Sequence, residues 1–222
     1  MIDPFLKTAD VALVYVDETL VVLDKPAGLL SVPGRGADKQ DCLSARVARH
    51  FPDARVVHRL DMATSGLLLM ARGAANQRIL SLAFANRQVE KYYEALVDGM
   101  IEPAVNPDAW QRIDLPIALD WPRRPLRIID TEHGKPSQTL WRATACDAAL
   151  CSSRLILAPV TGRSHQLRVH LAAMGHPILG DTLYAPANVA ARSQRMLLHA
   201  TSLQLLHPVT GEALRFDSPV PF

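Results

Sequence analysis

Two apolar runs, Val56-Val57 and Leu67-Leu68-Leu69-Met70, bracket a polar stretch that follows neither helical nor strand periodicity. Runs that short and continuous read as buried strands. The decapeptide Val57-His58-Arg59-Leu60-Asp61-Met62-Ala63-Thr64-Ser65-Gly66 is thereby set as a loop at a sheet edge. A carboxylate in such a loop either caps a turn or does chemistry. Asp61, followed by Thr64 and Ser65, suits an Asx turn, and residue types alone favour that role.

The rest of the chain sets limits on the fold. Its 222 residues, 49% of them apolar, suffice for one generous core and are few for two. One domain over 1–222 is the expectation. Val11 to Val16 and Leu20 to Leu23 read as successive strands, and Asp41 to Phe51 as a helix with Leu43, Val47 and Phe51 on one face. Gly73 to Asn86 reads as a second helix, with Ile79, Leu82 and Phe84 as an imperfect apolar stripe. Lys91 to Val97 alternates as a strand, with Lys91, Tyr93, Ala95 and Val97 on one face. Residues 99–125 lack linker composition and read as an ordered excursion. Ser137 to Thr144 and Arg154 to Leu157 read as further strands. Thr161-Gly162-Arg163 opens the clearest helix, with Leu167, Leu171 and Met174 as its apolar line and Thr161 or Ser164 as cap. On that reading Arg163 lies at a helix N-terminus, a place suited to an anion. Strands with irregular connections and few helices make the class α+β.

Composition says less about partners. The formal charge is only +2, but 19 Arg stand against 5 Lys. Guanidinium groups grip phosphate and stack on bases, so the bias fits RNA, and it fits a GC-rich genome equally. Cys42, Cys146 and Cys151 form no C-x-x-C pair, which argues against a disulfide framework and a zinc site. Nowhere do 18 apolar residues run together, and Met1 to Asp10 lacks an apolar leader, so no membrane association and a cytoplasmic location are expected.

His58-Arg59-Leu60-Asp61 followed by Thr64-Ser65-Gly66-Leu67 resembles the catalytic loop of the RluA-type pseudouridine synthases. Further stretches match in family order: Lys25-Pro26-Ala27-Gly28, then Lys91-Tyr92-Tyr93-Glu94-Ala95-Leu96-Val97. Leu157 to His170, with Arg163-Ser164-His165-Gln166-Leu167-Arg168 at its centre, follows, then Gly175 to Asp181, then Leu198-His199-Ala200 with His207-Pro208. Ordered matches from about Val21 onward leave little room for chance. The resemblance implies a pseudouridine synthase fold, a mixed and mostly antiparallel sheet with a central catalytic cleft. It makes Asp61 the nucleophile, Tyr93 the active-site tyrosine, and Arg163 the partner of Asp61. Arg59 would occupy the space that a flipped base vacates.

The reaction so implied breaks the N1–C1′ bond of uridine, turns the base and joins C5 to C1′. No atom is gained or lost, so no cofactor and no metal are expected. It needs an anionic group at the sugar or base and a base for the C5 proton. Arg163 would favour the ionised form of Asp61 against desolvation. Two rivals differ in class. A metal-dependent nuclease would draw on His58, Asp61, His165 and His170, but no H-E-x-x-H spacing occurs. A non-catalytic RNA-binding module would use the same basic residues without needing the Asp, Tyr and Arg together.

Only about two dozen residues precede Lys25, so no accessory N-terminal RNA-binding domain is expected. Recognition then falls to loops around Arg35, Arg59 and Arg123. Arg35 lies in a Gly- and Pro-marked loop with Lys39, read either as phosphate contacts or as a solvated connector. Asp120-Trp121-Pro122-Arg123-Arg124-Pro125 reads as a stacking and phosphate surface or as an exposed basic turn. The resemblance implies a monomer acting on the anticodon stem-loop of certain tRNAs at uridine 32 and on a hairpin of 23S ribosomal RNA at uridine 746.

Overall fold

A computed structural model describes residues 11–222. In chain order it forms β1 (Ala12–Val16), β2 (Leu20–Lys25), α1 (Leu43–Ala48), β3 (Ala54–Val56), β4 (Ser65–Arg72), α2 (Gly73–Ala85), β5 (Glu90–Asp98) and β6 (Gln111–Asp114). There follow β7 (Ile117–Leu119), β8 (Arg127–Ile129), β9 (Gln138–Asp147), β10 (Ser152–Pro159), α3 (Gln166–Ala173), α4 (Ala187–Ala190), β11 (Leu198–Leu206) and β12 (Ala213–Asp217). The ladders β1–β2, β2–β4, β3–β4, β5–β10, β9–β10, β6–β9, β7–β8 and β11–β12 are antiparallel. An isolated parallel bridge, outside the named strands, joins Leu30 to Cys42. The α+β expectation and the mostly antiparallel sheet hold. The reading of Met1 to Asp10 as leader-free lies outside the described residues.

The chain divides into two compact units, one running to Lys91 and including Ala200–Pro221, the other holding Tyr92–His199 with Phe222. In the first, the Leu67–Met70 run lies inside β4, whose residues from Ser65 to Ala71 are all buried. Leu67, Leu69 and Ala71 share one core with Leu20, Val22, Leu80, Val89, Leu203, Leu205 and Phe216. Gly66 is required where β4 begins: its φ is +108°, and a Cβ there would lie 2.3 Å from the Ala200 carbonyl oxygen. At the far end, His207 Nδ1 accepts the N–H groups of Val209 and Thr210, which puts the ring proton on Nε2. Nε2 faces Asp17 Oδ2 at 3.0 Å and Thr19 Oγ1 at 2.9 Å, tying the β1–β2 turn to the β11–β12 turn.

Two helices of this unit differ from the sequence reading. The first starts at Leu43 because Cys42 is extended and bridged to Leu30, and Leu43 and Ser44 give their N–H groups to the carbonyls of Leu30 and Ser31. It closes at Arg49 with i→i+3 bonds, so Phe51 lies beyond it. In α2 the core side is Leu80, with Ala83 and Phe84 partly buried. Ile79 and Leu82, expected in the stripe, are 44% and 53% exposed. Phe84 packs on the core as expected, whereas Leu80 and Ala83 take the inward places expected for Ile79 and Leu82.

In the second unit β5, β10, β9 and β6 pair in that order, and β7–β8 forms a separate hairpin. Ala95, Val97, Leu155 and Leu157 are wholly buried, as the alternation in β5 predicts. Helix α3 begins at Gln166, not at Thr161, after His165 in the left-handed region at φ 59°. Neither Thr161 nor Ser164 caps it. Residues Gln166 to Leu171 are all buried, and Gly175, φ +84°, ends it as expected. Arg168 meets Asp181 through two 2.7 Å bonds, both side chains being almost fully buried, and the guanidinium lies over the Tyr184 ring.

Candidate active site

Asp61 lies between β3 and β4 in a turn closed by the main chain, Thr64 N–H donating to the Asp61 carbonyl at 3.1 Å. A main-chain bond thus closes this turn. Both chain neighbours of Asp61 are fixed. The buried Ser31 hydroxyl donates to the Leu60 carbonyl at 2.7 Å and accepts the Leu60 N–H at 3.1 Å. On the other side the Met62 carbonyl accepts from Gly28 N–H at 2.8 Å and from Lys25 Nζ at 3.1 Å.

Lys25 is completely buried, and its ammonium also donates to the carbonyls of Pro26 and Leu29, each at 2.8 Å. An ammonium has three donors, and each of these three carbonyls lies within reach of one. The Leu29 carbonyl, which lies on a buried residue, would cost about 1–3 kcal/mol if left without this donor. Lys25 and Ser31 thus hold the Asp61 backbone between them. Residue-by-residue reasoning assigned neither role; the motif match at Lys25-Pro26-Ala27-Gly28 was the available signal.

Tyr93 stands on β5 opposite the buried Leu157 of β10. After β10 the chain turns through Thr161, Gly162 and Arg163. The Arg163 N–H donates to Gln166 Oε1 at 3.0 Å, and its Nε lies 3.4 Å from the Pro136 carbonyl. Arg163 therefore belongs to a turn ahead of α3, three residues before the helix, and the expected helix-end anion site does not form around it. Its side chain is exposed. Asp61, Arg59 and Arg35 fall in the first unit, and Tyr93, Arg163 and Arg123 in the second.

The three basic residues assigned to recognition are all exposed. Arg35 sits in a loop held by Gly34 N–H to the Lys39 carbonyl and by Gln40 Nε2 to the Gly36 carbonyl. Arg59 precedes the buried Leu60, and Met62, two residues beyond it, is 52% exposed. Arg123 is anchored through Nε to the buried Asp120 at 2.7 Å yet remains 70% exposed. Beside it the Arg124 guanidinium lies 5.0 Å from the centroid of the Trp121 ring, which is 67% exposed.

Two of the three histidines of the nuclease reading, His58 and His170, are occupied elsewhere. His58 accepts the Leu69 N–H at Nε2 and stacks on Phe84 at 4.4 Å. Crowding by the protein and the nearby Lys91 charge push its pKa down to about 3. His170, fully buried, spends both ring nitrogens on Thr139 and the Leu115 carbonyl, and burial lowers its pKa too. Both are framework residues. Among the described residues no three His, Cys, Asp or Glu side chains form a group able to hold a metal ion, and no helix is long and apolar enough to cross a membrane.

A family model described as RNA pseudouridylate synthase matches residues 19–173. Over 210 residues the chain is 44% identical to the dual-specificity RNA pseudouridine synthase RluA of Escherichia coli K12, covering 95% of this chain and 93% of that one. It is 42% identical over 220 residues to the protein of the same name from Pasteurella multocida, covering 99% and 95%. Among solved structures, human RNA pseudouridylate synthase domain containing 1 superposes with a TM-score of 0.77 at 31% identity, over 96% of this chain and 84% of that one.

Proposed function

Because the chain belongs to the RNA pseudouridylate synthase family, its reaction is the isomerisation of uridine to pseudouridine in RNA, and we propose that Asp61 is the nucleophile. The observation that carries this assignment is the double clamp on its backbone, from Ser31 on one side and Lys25 with Gly28 on the other. A half-buried carboxylate on a loop fixed at both neighbouring residues loses little orientational freedom when it reacts. Arg163 supplies the cation that favours its charged form, and Tyr93 lies against the uracil ring and assists loss of the C5 proton. No metal or cofactor takes part.

The family match runs from residue 19 to 173 and so includes parts of both compact units, which supports reading 1–222 as one catalytic domain. The target uridine must leave its stack, and Arg59 fills the space it vacates. Arg35 and Arg123 hold phosphates. The bacterial relatives are named dual-specificity enzymes. We assign this chain the same breadth, acting as a cytoplasmic monomer on the anticodon stem-loop of certain tRNAs and a hairpin of 23S ribosomal RNA, both of which present a loosened uridine.

The deciding experiment is tritium release from RNA labelled at uridine C5 by the Asp61→Asn variant. That substitution keeps the shape and removes the charge. Release should vanish while RNA binding persists. Turnover within about tenfold of the parent would take the nucleophile role from Asp61. Mapping pseudouridines in a deletion strain tests the substrates: loss at both sites supports dual use, and loss at one alone reduces the enzyme to a single substrate.

A further inference from the structure

Gln166 is 3% exposed, and both ends of its amide are engaged. Oε1 accepts the Thr161 hydroxyl at 2.7 Å and the Arg163 N–H at 3.0 Å, while Nε2 donates to the Gln138 carbonyl at 2.9 Å and to Thr139 Oγ1 at 3.0 Å. The amide cannot be turned over, because a main-chain N–H only donates and a main-chain carbonyl only accepts. The direction then propagates. Thr139, accepting from Gln166, donates to His170 Nδ1 at 2.9 Å, so His170 carries its proton on Nε2 and donates it to the Leu115 carbonyl at 2.9 Å. Both termini of this chain are main-chain groups, and every proton between them has one possible position. His170 is kept neutral by burial, as the chain requires.

We infer that Gln166 is a positioning residue for Arg163. The inference rests on the role proposed above for Arg163. The turn that carries this arginine has no helix to hold it, since α3 starts only at Gln166. The turn is tied to β9 by the main chain, Val160 and Thr161 N–H both donating to the Gln138 carbonyl, and by Thr161 Oγ1, which accepts the Gln138 N–H at 2.9 Å. The Gln166 amide is the group that bonds both the Gln138 carbonyl and the Arg163 N–H. A residue holding the main chain of Arg163 sets where the exposed guanidinium begins its reach. Gln166 touches no reacting atom. Its effect belongs to the turnover step and not to RNA binding.

Two substitutions test this. Gln166→Glu keeps the volume and the two acceptor contacts of Oε1 but replaces the donating amide nitrogen by an oxygen facing the Gln138 carbonyl. When ionised, that oxygen repels the carbonyl; when protonated, it donates as the amide did. Burial and the facing carbonyl raise the carboxyl pKa. The variant should therefore lose turnover at neutral pH, by about tenfold or more, and recover as pH falls, with KM for RNA little changed, a rise on acidification that the non-titrating amide cannot give. Gln166→Met removes both ends and should lower kcat at every pH. In the double variant with Arg163→Met, the Gln166→Met loss should disappear, because its effect passes through Arg163. A Gln166→Glu profile parallel to the parent's, or losses that multiply in the double variant, would overturn the inference. If Gln166→Met fails to fold, the Gln166→Glu profile still decides. Unchanged turnover in Arg163→Met alone would instead refute the role of Arg163, a result distinct from failure of the Gln166 series.

Discussion

The Ser31 hydroxyl serves both main-chain groups of Leu60, donating to the carbonyl at 2.7 Å and accepting the N–H at 3.1 Å, one residue before Asp61. Ser31→Ala leaves both groups buried without that partner, a cost of about 1–3 kcal/mol. The expected outcome is a folded enzyme with a lowered melting temperature and kcat reduced by about tenfold, because the turn bearing the carboxylate loosens. RNA affinity, measured by filter binding, should change by less than about threefold. A folded variant with undiminished kcat would show that the Asp61 turn does not depend on this clamp.

Stability should fall on acidification in two windows. His58 is held neutral in the fold, with its pKa near 3 against an ordinary value of 6.5, so between those values the unfolded chain binds a proton that the native ring refuses. Its contribution is complete above about pH 6.5 and is lost as pH falls toward 3, at up to about 1.4 kcal/mol per pH unit. Asp17, lowered to about 2 from 3.8 by bonds from Thr19, Leu20 and Tyr15 that outweigh its burial, adds a second loss below about pH 4. Urea titrations between pH 7 and 3 measure the slope. The His58 ring signals in NMR should stay unshifted down to about pH 4, and a midpoint near 6.5 would reverse the argument.

Gly66→Ala tests the tight start of β4. Its φ of +108° strains any side chain, and the new methyl would lie 2.3 Å from the Ala200 carbonyl oxygen, a main-chain atom inside a buried sheet. We expect a loss of about 3 kcal/mol or more, read as a lower urea midpoint or insoluble expression. A midpoint within experimental error of the parent would mean that β11 gives way.

How far such features could be read from residues alone varies along the chain. Leu67 to Met70 announced a buried strand because a continuous apolar run has few other uses, and β5 was legible because Ala95 and Val97 alternate with bulkier neighbours. In α2 Phe84 faces the core as expected while Ile79 and Leu82 do not, since both are as apolar as Leu80 and only the tertiary neighbours decide which faces inward. The start of α3 was misplaced for a similar reason. Thr161 and Ser164 are good caps locally, but the Gln166 side chain takes the Thr161 hydroxyl and the Arg163 N–H and makes a separate turn. The clamp on Asp61 comes from Lys25 and Ser31, thirty or more residues away in sequence, and no periodicity encodes a contact of that kind. Motif resemblance marked the first of them without saying what it held.

Tyr93 has two separable functions in the proposed reaction. Tyr93→Phe removes the hydroxyl and keeps the ring, whereas Tyr93→Ala removes both. If stacking on uracil is the larger part, tritium release should fall by about tenfold in Tyr93→Phe and by a further hundredfold in Tyr93→Ala. Equal losses would assign the essential part to the hydroxyl. Because Tyr93 lies opposite the buried Leu157, melting curves for both variants accompany the kinetics.

The hairpin tip between β7 and β8 carries the last prediction. The Trp121 ring is two-thirds exposed with the Arg124 guanidinium stacked over it at 5.0 Å, and Asp120 orients Arg123 beside them. A large exposed indole is costly to leave in water unless it meets something flat, and a paired guanidinium presents charge to phosphate at the same place. Stacking of one base is worth about 1–3 kcal/mol, so Trp121→Ala should raise Kd for a tRNA anticodon stem-loop by about 5- to 150-fold. Arg123→Gln and Arg124→Gln should each weaken binding less and reduce the slope of log K against log salt by about 1, the mark of one lost phosphate contact. At saturating RNA, kcat should remain near the parent value in all three, since none of these side chains is assigned to the reaction. Fluorescence anisotropy over a salt series provides every one of these readings. Unchanged Kd and salt slope in all three variants would remove this surface from RNA recognition.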